Sequence, residues 1–358
     1  MQLYICTCTY TYAYAYPLIH EQDSAFLHHL DVAGYNYAGV GIYARDHARL
    51  PTRIMVGTES VATESYRMWT AVWNLTSVIG DFIWTAIDYL GDSYSGFTDG
   101  DVDALAGRHP WPWHVSFCGD LDIVGHRKPQ SVYRRVLWGV TRLGLLVHVP
   151  ATHPDRFSYW GWPAEVESWS WDGHEGEPID VRVFARGCET ARLLLNGRTI
   201  GLAPFQSNLT AMFTVRYEAG RLEALCVNGS TTQPNLSASL QTAGSPHALL
   251  LEADRPNIRH DVNDLAYVTV TVVDVHGQRV PAGKHTVNFA VKSGSAGRLI
   301  AVGSGDPSDP ASFTASRRTT WRGRALAILQ PKGPTAGTIH LEVSATGLQS
   351  ASVTVFTS

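Results

Sequence analysis

Tryptophan is concentrated in the first half of this 358-residue chain, and the imbalance divides it into two kinds of sequence. Ten of the 11 tryptophans and 13 of the 15 tyrosines lie before residue 172. Beyond that point the aromatic clusters disappear and apolar residues alternate with polar ones. A chain of this length is expected to form two or three domains. This change from clustered aromatic residues to alternating apolar and polar residues predicts a domain boundary near residue 172.

The first half alternates short apolar runs with a helical stretch. Leu30–Tyr37 and Arg53–Glu59 are typical of strands, Ser65–Leu75 has apolar residues at helical spacing, and Val78–Asp88 supplies a third apolar run. Strands and helices at these intervals indicate βα units with parallel pairing. We therefore predict an α/β domain over residues 24–172. The polar residues Asn36, Glu59 and Asp88 are expected at the carboxyl ends of its strands, where such folds place their functional groups.

Period-two alternation after residue 172 predicts strands. The run Arg192–Leu195 leads into Asn196-Gly197, a pair that strongly favours a two-residue hairpin turn. Strand runs and turn residues at short intervals are typical of β-sandwiches. We predict one sandwich over residues 173–245 and a second, immunoglobulin-like sandwich over residues 246–358.

The first 23 residues differ from both parts. Residues 1–17 alternate Thr or Ala with Tyr, without the basic region or continuous apolar core of a secretory signal. We expect residues 1–23 to form a disordered tail outside the fold.

Charge and cysteine content exclude several classes of function. A net charge of −4 and a pI near 6.4 provide no basic field for nucleic acid or anionic lipid. No run of 18 apolar residues is present, so no membrane span is expected. The five cysteines are few and scattered, which argues against a disulfide framework or a CxxC metal site. We expect no metal site.

Glu59 is the candidate nucleophile, because it follows a strand and precedes a helix. The alternative is that its charge only complements the positive end of that helix. Aromatic residues that follow strand runs favour a sugar site, since sugar rings stack their C–H faces on aromatic planes. Tyr37, Trp84 and Tyr89 are such residues, although aromatic residues can also belong to the core.

An ordered series of motifs resembles glycoside hydrolase family 2, in particular its bacterial β-galactosidases. The series comprises Gly57-Thr58-Glu59-Ser60, residues 78–91, residues 118–125 with Lys128-Pro129-Gln130-Ser131, Trp160-Gly161-Trp162-Pro163, and Leu193-Leu194-Leu195-Asn196-Gly197. The likeness extends from residue 30 to the end of the chain, and its specificity lies in the order of the motifs.

This resemblance implies a retaining hydrolase that acts on terminal β-D-galactosides, or on a near relative such as β-glucuronides or β-mannosides, on a (β/α)8 barrel. Two carboxylates about 5–5.5 Å apart perform such chemistry. The resemblance implies that Glu59 is the nucleophile and that Asn36 and Tyr37 contact sugar and nucleophile. It also implies that Trp84 forms an aromatic wall of the sugar subsite and that Asp88 reaches a sugar hydroxyl, although packing of the last strand explains Asp88 as well. A carbohydrate substrate and no cofactor are implied.

One departure from the family pattern limits this expectation. The family's acid/base glutamate follows an asparagine, and this sequence contains no Asn-Glu pair. A (β/α)8 barrel closes with eight strands, whereas about three are present here. The chain is therefore interpreted as the carboxyl-terminal part of a β-galactosidase-like enzyme, inactive by itself.

Two alternatives remain open at this stage. The chain could be an inactive remnant, or a non-catalytic module whose sandwiches bind carbohydrate or a partner protein. The sequence leaves the oligomeric state undefined. A secreted or periplasmic location is favoured only because sandwich tails accompany enzymes that act on external glycans.

Overall fold

The computed structural model describes residues 5–6, 29–93, 96, 111–152 and 157–358. Most of the expected tail, residues 1–23, lies outside the described residues. Its residues 5 and 6 form a short strand. The structure is mostly β-sheet with few helices. Within the described ranges, no helix is both long and apolar enough to cross a membrane.

The described part of the chain forms three α-helices and 23 strands. The helices are α1 (Val40–Arg49), α2 (Ser65–Asn74) and α3 (Pro129–Leu137), with a 3₁₀ turn at Ala62–Glu64 before α2. The strands of the first half are β1 (Ile5–Cys6), β2 (Val32–Asn36), β3 (Met55–Ser60), β4 (Val78–Ile83), β5 (Tyr89–Leu90), β6 (Val115–Ser116), β7 (Leu143–His148) and β8 (Glu165–Val166). The next six are β9 (Pro178–Ala185), β10 (Thr190–Leu195), β11 (Arg198–Pro204), β12 (Thr210–Arg216), β13 (Arg221–Asn228) and β14 (Thr231–Gln241). The last nine are β15 (Ala248–Ala253), β16 (Asn257–Ile258), β17 (Ala266–Val273), β18 (Thr286–Val291), β19 (Gly297–Gly303), β20 (Arg317–Thr319), β21 (Arg324–Pro331), β22 (Gly337–Ala345) and β23 (Ala351–Thr357).

A parallel sheet in the order β1-β2-β3-β4 confirms the predicted βα pattern. Helix α1 connects β2 to β3, and α2 connects β3 to β4. Their inner faces pack on the sheet around Tyr35, Tyr43, Met55 and Met68. Because all four strands run in one direction, their carboxyl ends meet at one edge.

Two four-stranded sheets enclose the next core. One has the order β11-β10-β13-β14, and the other β12-β9-β7-β8. Alternating apolar residues of both sheets surround the fully buried Trp169. The hairpin predicted at Asn196-Gly197 is confirmed: both residues have positive φ, 52° and 77°, as a two-residue type I′ turn requires.

The boundary expected at residue 172 lies inside this two-sheet unit. Strand β7 pairs antiparallel with β9, so residues 143–148 belong to the same sheet as the strands beyond residue 172. Five successive residues of β7, from Leu143 to Val147, are buried. A strand buried on both faces does not alternate, so its sequence lacked the period-two signal.

A disulfide joins Cys188 to Cys226, across 38 residues of this two-sheet unit. The scattered spacing of the cysteines did not predict it, because the pairing depends on the β10–β13 contact. Closing a loop of this length stabilises a fold by roughly 2–4 kcal/mol. Disulfides persist mainly in oxidising compartments.

Residues 248–357 form a second two-sheet unit. Its sheets have the orders β15-β17-β21-β19 and β16-β23-β22-β18-β20. The core between them is built from alternating Val, Leu, Ile and Ala side chains, with Phe289 among them. Both units are β-sandwiches, as the alternation predicted.

Helix α3 connects the parallel sheet to the first sandwich. Tyr133 and Val136 of α3 pack with Leu146 of β7, with Phe184 of β9 and with Trp162. This contact holds the segment around Trp162 beside the parallel sheet, and the neighbouring Trp160 thereby reaches the edge where β2 and β3 end.

Candidate active site

Glu59 lies near the carboxyl end of β3, the strand between β2 and β4. Its side chain is half-buried. The Asn36 side-chain amide donates to Glu59 Oε2 at 3.4 Å, and the Thr58 hydroxyl donates to Asn36 Oδ1 at 3.1 Å. The Asn36 amide is thus oriented with its N–H toward the carboxylate. These contacts orient the Glu59 side chain at the edge of the sheet where the carboxyl ends of the strands meet.

Tyr37 forms a second support for Glu59. It adopts the left-handed conformation, with φ of 50°, and its backbone N–H donates to the Glu59 carbonyl at 2.9 Å. Burial, together with the nearby Glu59 carboxylate, raises the pKa of Tyr37 well above its ordinary value. The phenol therefore stays protonated at neutral pH and can donate a hydrogen bond.

Trp160 contacts the site from a distant part of the chain. Its indole Nε1 donates to the Tyr37 hydroxyl at 2.9 Å across 123 positions of sequence. Tyr159 stacks obliquely with Tyr37, with 6.0 Å between ring centroids, and meets Trp160 edge-on at 5.3 Å. Three aromatic rings therefore line one side of the Glu59 region. The sequence contained a signal for this wall in Trp160-Gly161-Trp162-Pro163, but Tyr159 and Trp160 were not assigned to the site.

Trp84 follows β4 on the other side of β3. Its backbone N–H donates to the Ser60 carbonyl at 2.9 Å, which places it next to the end of the central strand. The half-buried indole meets Tyr89 edge-on, with centroids 5.9 Å apart. Asn36, Tyr37, Glu59 and Trp84 thus occupy the same edge of the sheet.

Close packing beneath the site explains the glycine before Thr58. A Cβ atom at Gly57 would lie 2.4 Å from Asp81 Oδ1 and 3.0 Å from the Tyr43 hydroxyl. Asp81 accepts from the Ser60 hydroxyl at 2.6 Å, and burial raises its pKa to about 6. A side chain at position 57 would therefore displace the Asp81 carboxyl group from its place behind the Glu59 strand.

Asp88 has a different environment from the other predicted residues. Strand β4 ends at Ile83, so Asp88 lies in the segment beyond it and not at the strand's carboxyl end. It is 3% exposed, pairs with Lys128 Nζ at 2.9 and 3.1 Å, and accepts from the Gly119 N–H at 2.7 Å. Lys128 also donates to the Phe117 carbonyl at 2.7 Å and lies over the Phe117 ring. This buried ion pair joins the segment after β4 to the start of α3.

Burial dominates the ionisation of this pair. It raises the pKa of Asp88 to about 6 and lowers the pKa of Lys128. Within the described ranges, no group of three or more His, Cys, Asp or Glu side chains is arranged to hold a metal ion.

Segments of both sandwiches match known family models. Residues 249–354 match the family described as glycoside hydrolase family 2 C-terminal domain 5. Residues 176–232 match a domain of unknown function, DUF4982.

Relatives extend the match across the parallel sheet. A glycosyl hydrolase family 2 member from Bacteroides cellulosilyticus is 34% identical, with a TM-score of 0.85 over 95% of this chain and 44% of its own. A family 2 structure from strain DSM 14838 of that species is 33% identical, with a TM-score of 0.78 over 94% of this chain and 42% of its own. The β-galactosidase BoGH2A of Bacteroides ovatus is 24% identical over 275 residues, 76% of this chain and 28% of that protein. A family 2 β-glucuronidase has the same fold, at 16% identity and a TM-score of 0.66 over 92% of this chain and 33% of its own.

A parallel sheet whose strand ends carry a supported carboxylate, followed by two sandwiches, therefore has its counterpart in glycosidases. This chain belongs to glycoside hydrolase family 2 and corresponds to the carboxyl-terminal part of that family's enzymes. It spans less than half the length of each of these relatives.

Proposed function

We propose that this chain carries the nucleophile half of a retaining β-galactosidase active site, with Glu59 as the nucleophile. The observation that carries the proposal is the position of Glu59 at the end of β3, with the Asn36 amide 3.4 Å from its carboxylate. A donor at that distance orients the carboxylate without covering both oxygens, which leaves one free to attack an anomeric carbon.

The reaction divides between two carboxyl groups. Glu59 attacks the anomeric carbon of a β-galactoside, the glycosidic C–O bond breaks, and a covalent α-glycosyl ester forms on Glu59. The acid/base group gives its proton to the departing oxygen, then removes a proton from the water that hydrolyses the ester. We propose that this group comes from chain outside these 358 residues, because no glutamate here follows an asparagine.

The sugar is proposed to lie against aromatic walls. Trp84 follows the strand on one side of Glu59, and Tyr37 with Trp160 lies on the other side. Asp88, which the resemblance places near a sugar hydroxyl, is proposed instead to hold the segment beneath Trp84, because its oxygens are already bonded to Lys128 and Gly119.

The architecture proposed for this function is the end of a (β/α)8 barrel followed by two sandwiches, the last of them immunoglobulin-like. The βαβαβ order from β2 to β4 supports the barrel assignment. The family match over residues 249–354 supports the place of the last sandwich. The galactoside preference is supported by the name of the Bacteroides ovatus relative.

A substrate panel tests the proposed specificity. The protein to be assayed is the one encoded by the longest open reading frame that contains these 358 residues. We call it the reading-frame product. It is assayed on aryl β-galactoside, β-glucuronide and β-mannoside. We expect kcat/KM for the galactoside to exceed the other two by about tenfold, a difference of about 1.4 kcal/mol. Proton NMR of the first product should show the β-anomer. A preference for the glucuronide would contradict the sugar assignment, and release of the α-anomer would contradict the retaining mechanism.

A further inference from the structure

A cavity of about 370 Å³ lies where the first-half fold meets both sandwiches. Its walls come from residues 122–129, from residues 166–174 before β9, and from the β17–β18 and β20–β21 connections of the last sandwich. This volume is within the range of pockets that bind small ligands, about 300–1,000 Å³. Glu59, Asn36, Tyr37 and Trp84 do not line it.

Arginines dominate the cationic lining of this cavity. Arg127, Arg279, Arg322 and Arg324 all line it. Arg279 donates to two backbone carbonyls, those of Arg322 at 2.8 Å and Glu167 at 3.2 Å. Among the described residues, none of the four guanidinium groups has a carboxylate within 4.0 Å, whereas Arg134, Arg182 and Arg318 elsewhere in the molecule do. The four guanidinium groups thus make no direct ion pair among the described residues, and the carboxylates of Asp122 and Glu167 in the same cavity act on Arg279, Arg322 and Arg324 only at longer range.

Burial makes the charged form of these arginines energetically costly. It lowers the pKa of Arg279 to about 10, and the neighbouring Arg324 contributes to the decrease. Burial also lowers the pKa of Arg322 and Arg324. Perturbed and unpaired charges in a cavity are typical of binding sites.

The turn that carries Arg322 does not require arginine. Trp321 and Arg324 exchange backbone hydrogen bonds at 2.8 and 2.9 Å, and the two residues between them have φ of 48° and 76°. These values define a type I′ turn, whose first central position favours Asn, Asp or Gly. An arginine with positive φ is conformationally unfavourable, and residues strained in this way cluster at binding sites.

The remaining lining is typical of a sugar site. Trp171 and Trp321 supply aromatic surface, and the Arg322 guanidinium lies 5.7 Å from the Trp321 ring centroid. The Trp171 indole N–H is buried, and no hydrogen-bond acceptor for it lies among the residues that the structure describes. Asp122, Glu167 and Asp172 also line the cavity and can accept hydrogen bonds from hydroxyl groups. Asp122 already accepts from the backbone N–H groups of Val124 and His126.

We propose that this cavity binds an acidic oligosaccharide, with a uronate carboxylate on Arg322 and Arg324 and a sugar ring against Trp171 and Trp321. Guanidinium groups bind carboxylates bidentately, in a geometry that a neutral sugar does not offer. A second cavity of about 190 Å³ shares Glu167, Ser168 and Arg279 with the first. The two together give room for more than one sugar unit. The site is separate from the Glu59 region and does not depend on the proposed hydrolysis.

Calorimetric titration of the full chain tests this site. The probes are tetragalacturonate, neutral galactotetraose and a sulfated galactotetraose. We expect tetragalacturonate to bind with a dissociation constant below 1 mM in 0.15 M salt, at least about tenfold more tightly than either comparison sugar. The key variant is Arg322→Asn, because Asn suits the turn and should keep the fold while removing the cation. This variant should bind tetragalacturonate about tenfold more weakly.

The matched control is Arg298→Asn, which removes an exposed arginine of the same sandwich outside the cavity. Its affinity should equal that of the unmodified chain. The proposal is overturned if tetragalacturonate does not bind, if Arg322→Asn binds it unchanged, or if the neutral sugar binds equally well. Equal binding of the sulfated sugar, abolished by 0.3 M salt, would indicate non-specific charge attraction and would also overturn it.

Discussion

Replacing Glu59 by Gln is expected to lower kcat of the reading-frame product on an aryl β-galactoside by about 10⁴-fold. The amide keeps the size and the contact with Asn36 but cannot form the glycosyl ester. The affinity for galactose should change by less than about threefold, because the residues proposed to hold the sugar are unaltered. Steady-state kinetics and a galactose inhibition constant measure the two effects separately.

Glu64→Gln is the matched control for this prediction. Glu64 lies after Glu59, in the short 3₁₀ turn before α2, and its carboxylate accepts from the exposed Arg67 guanidinium at 3.2 Å. Its loss should change kcat by less than about twofold, since such surface pairs contribute little. A Glu59→Gly variant should regain turnover with azide and release α-galactosyl azide. Equal activity of the Glu59→Gln and unmodified proteins would refute the nucleophile assignment.

Replacing Lys128 by Met is expected to lower the free energy of unfolding of the full chain at pH 8 by about 3–5 kcal/mol. The substitution leaves the Asp88 carboxylate buried, with 1% of its side chain exposed and no cation beside it. Guanidinium unfolding curves measure the effect. The double variant Asp88→Asn with Lys128→Met should recover much of the loss, because no uncompensated charge remains.

The loss of stability in the Lys128→Met variant is also expected to depend on pH. Burial raises the pKa of Asp88 to about 6 in the fold, above its unfolded value near 3.8. Stability from a carboxyl group whose folded pKa is raised is fully present below the unfolded pKa and is lost as pH rises through the folded pKa. Without Lys128 the pKa of Asp88 should rise further, so the Lys128→Met loss should be smaller at pH 5 than at pH 8.

Lys284→Met provides the comparison for Lys128. Its ammonium pairs with Asp306 at 3.3 Å, but the Lys284 side chain is 66% exposed. The change should be below about 1 kcal/mol at either pH. If Lys128→Met cost no more than Lys284→Met, the Asp88–Lys128 pair would not have the structural role assigned to it.

The local sequence pattern was sufficient to predict strands that bury one face and the turns between them. The alternation through β9 and the Asn196-Gly197 pair predicted a strand and a hairpin that the structure contains. Helix α1 was missed, because its inner face includes Asp46, a residue whose chemistry indicates a surface position. Asp46 is fully buried, and its carboxylate accepts from the hydroxyl of Tyr35 in β2 and from Arg53 Nη1, just before β3, at 2.6 Å.

The candidate site was predictable only where its residues follow strands. Asn36 and Glu59 lie at the carboxyl ends of β2 and β3, and Tyr37 and Trp84 directly follow β2 and β4, so their proximity was expected from strand order. Trp160 depends on the packing of α3 against the first sandwich, a contact between distant segments that periodicity does not encode. Asp88 follows an apolar run, but its pairing with Lys128 required the tertiary structure.

Covalent trapping of Glu59 tests the central claim most directly. The reagent is 2,4-dinitrophenyl 2-deoxy-2-fluoro-β-galactoside, whose leaving group departs without a proton, so the result does not depend on the acid/base group. After incubation with the reading-frame product, peptide mass spectrometry should find one fluorogalactosyl group per chain, on Glu59. A label on any other residue, or an unlabelled protein that still hydrolyses the aryl galactoside, would contradict the account.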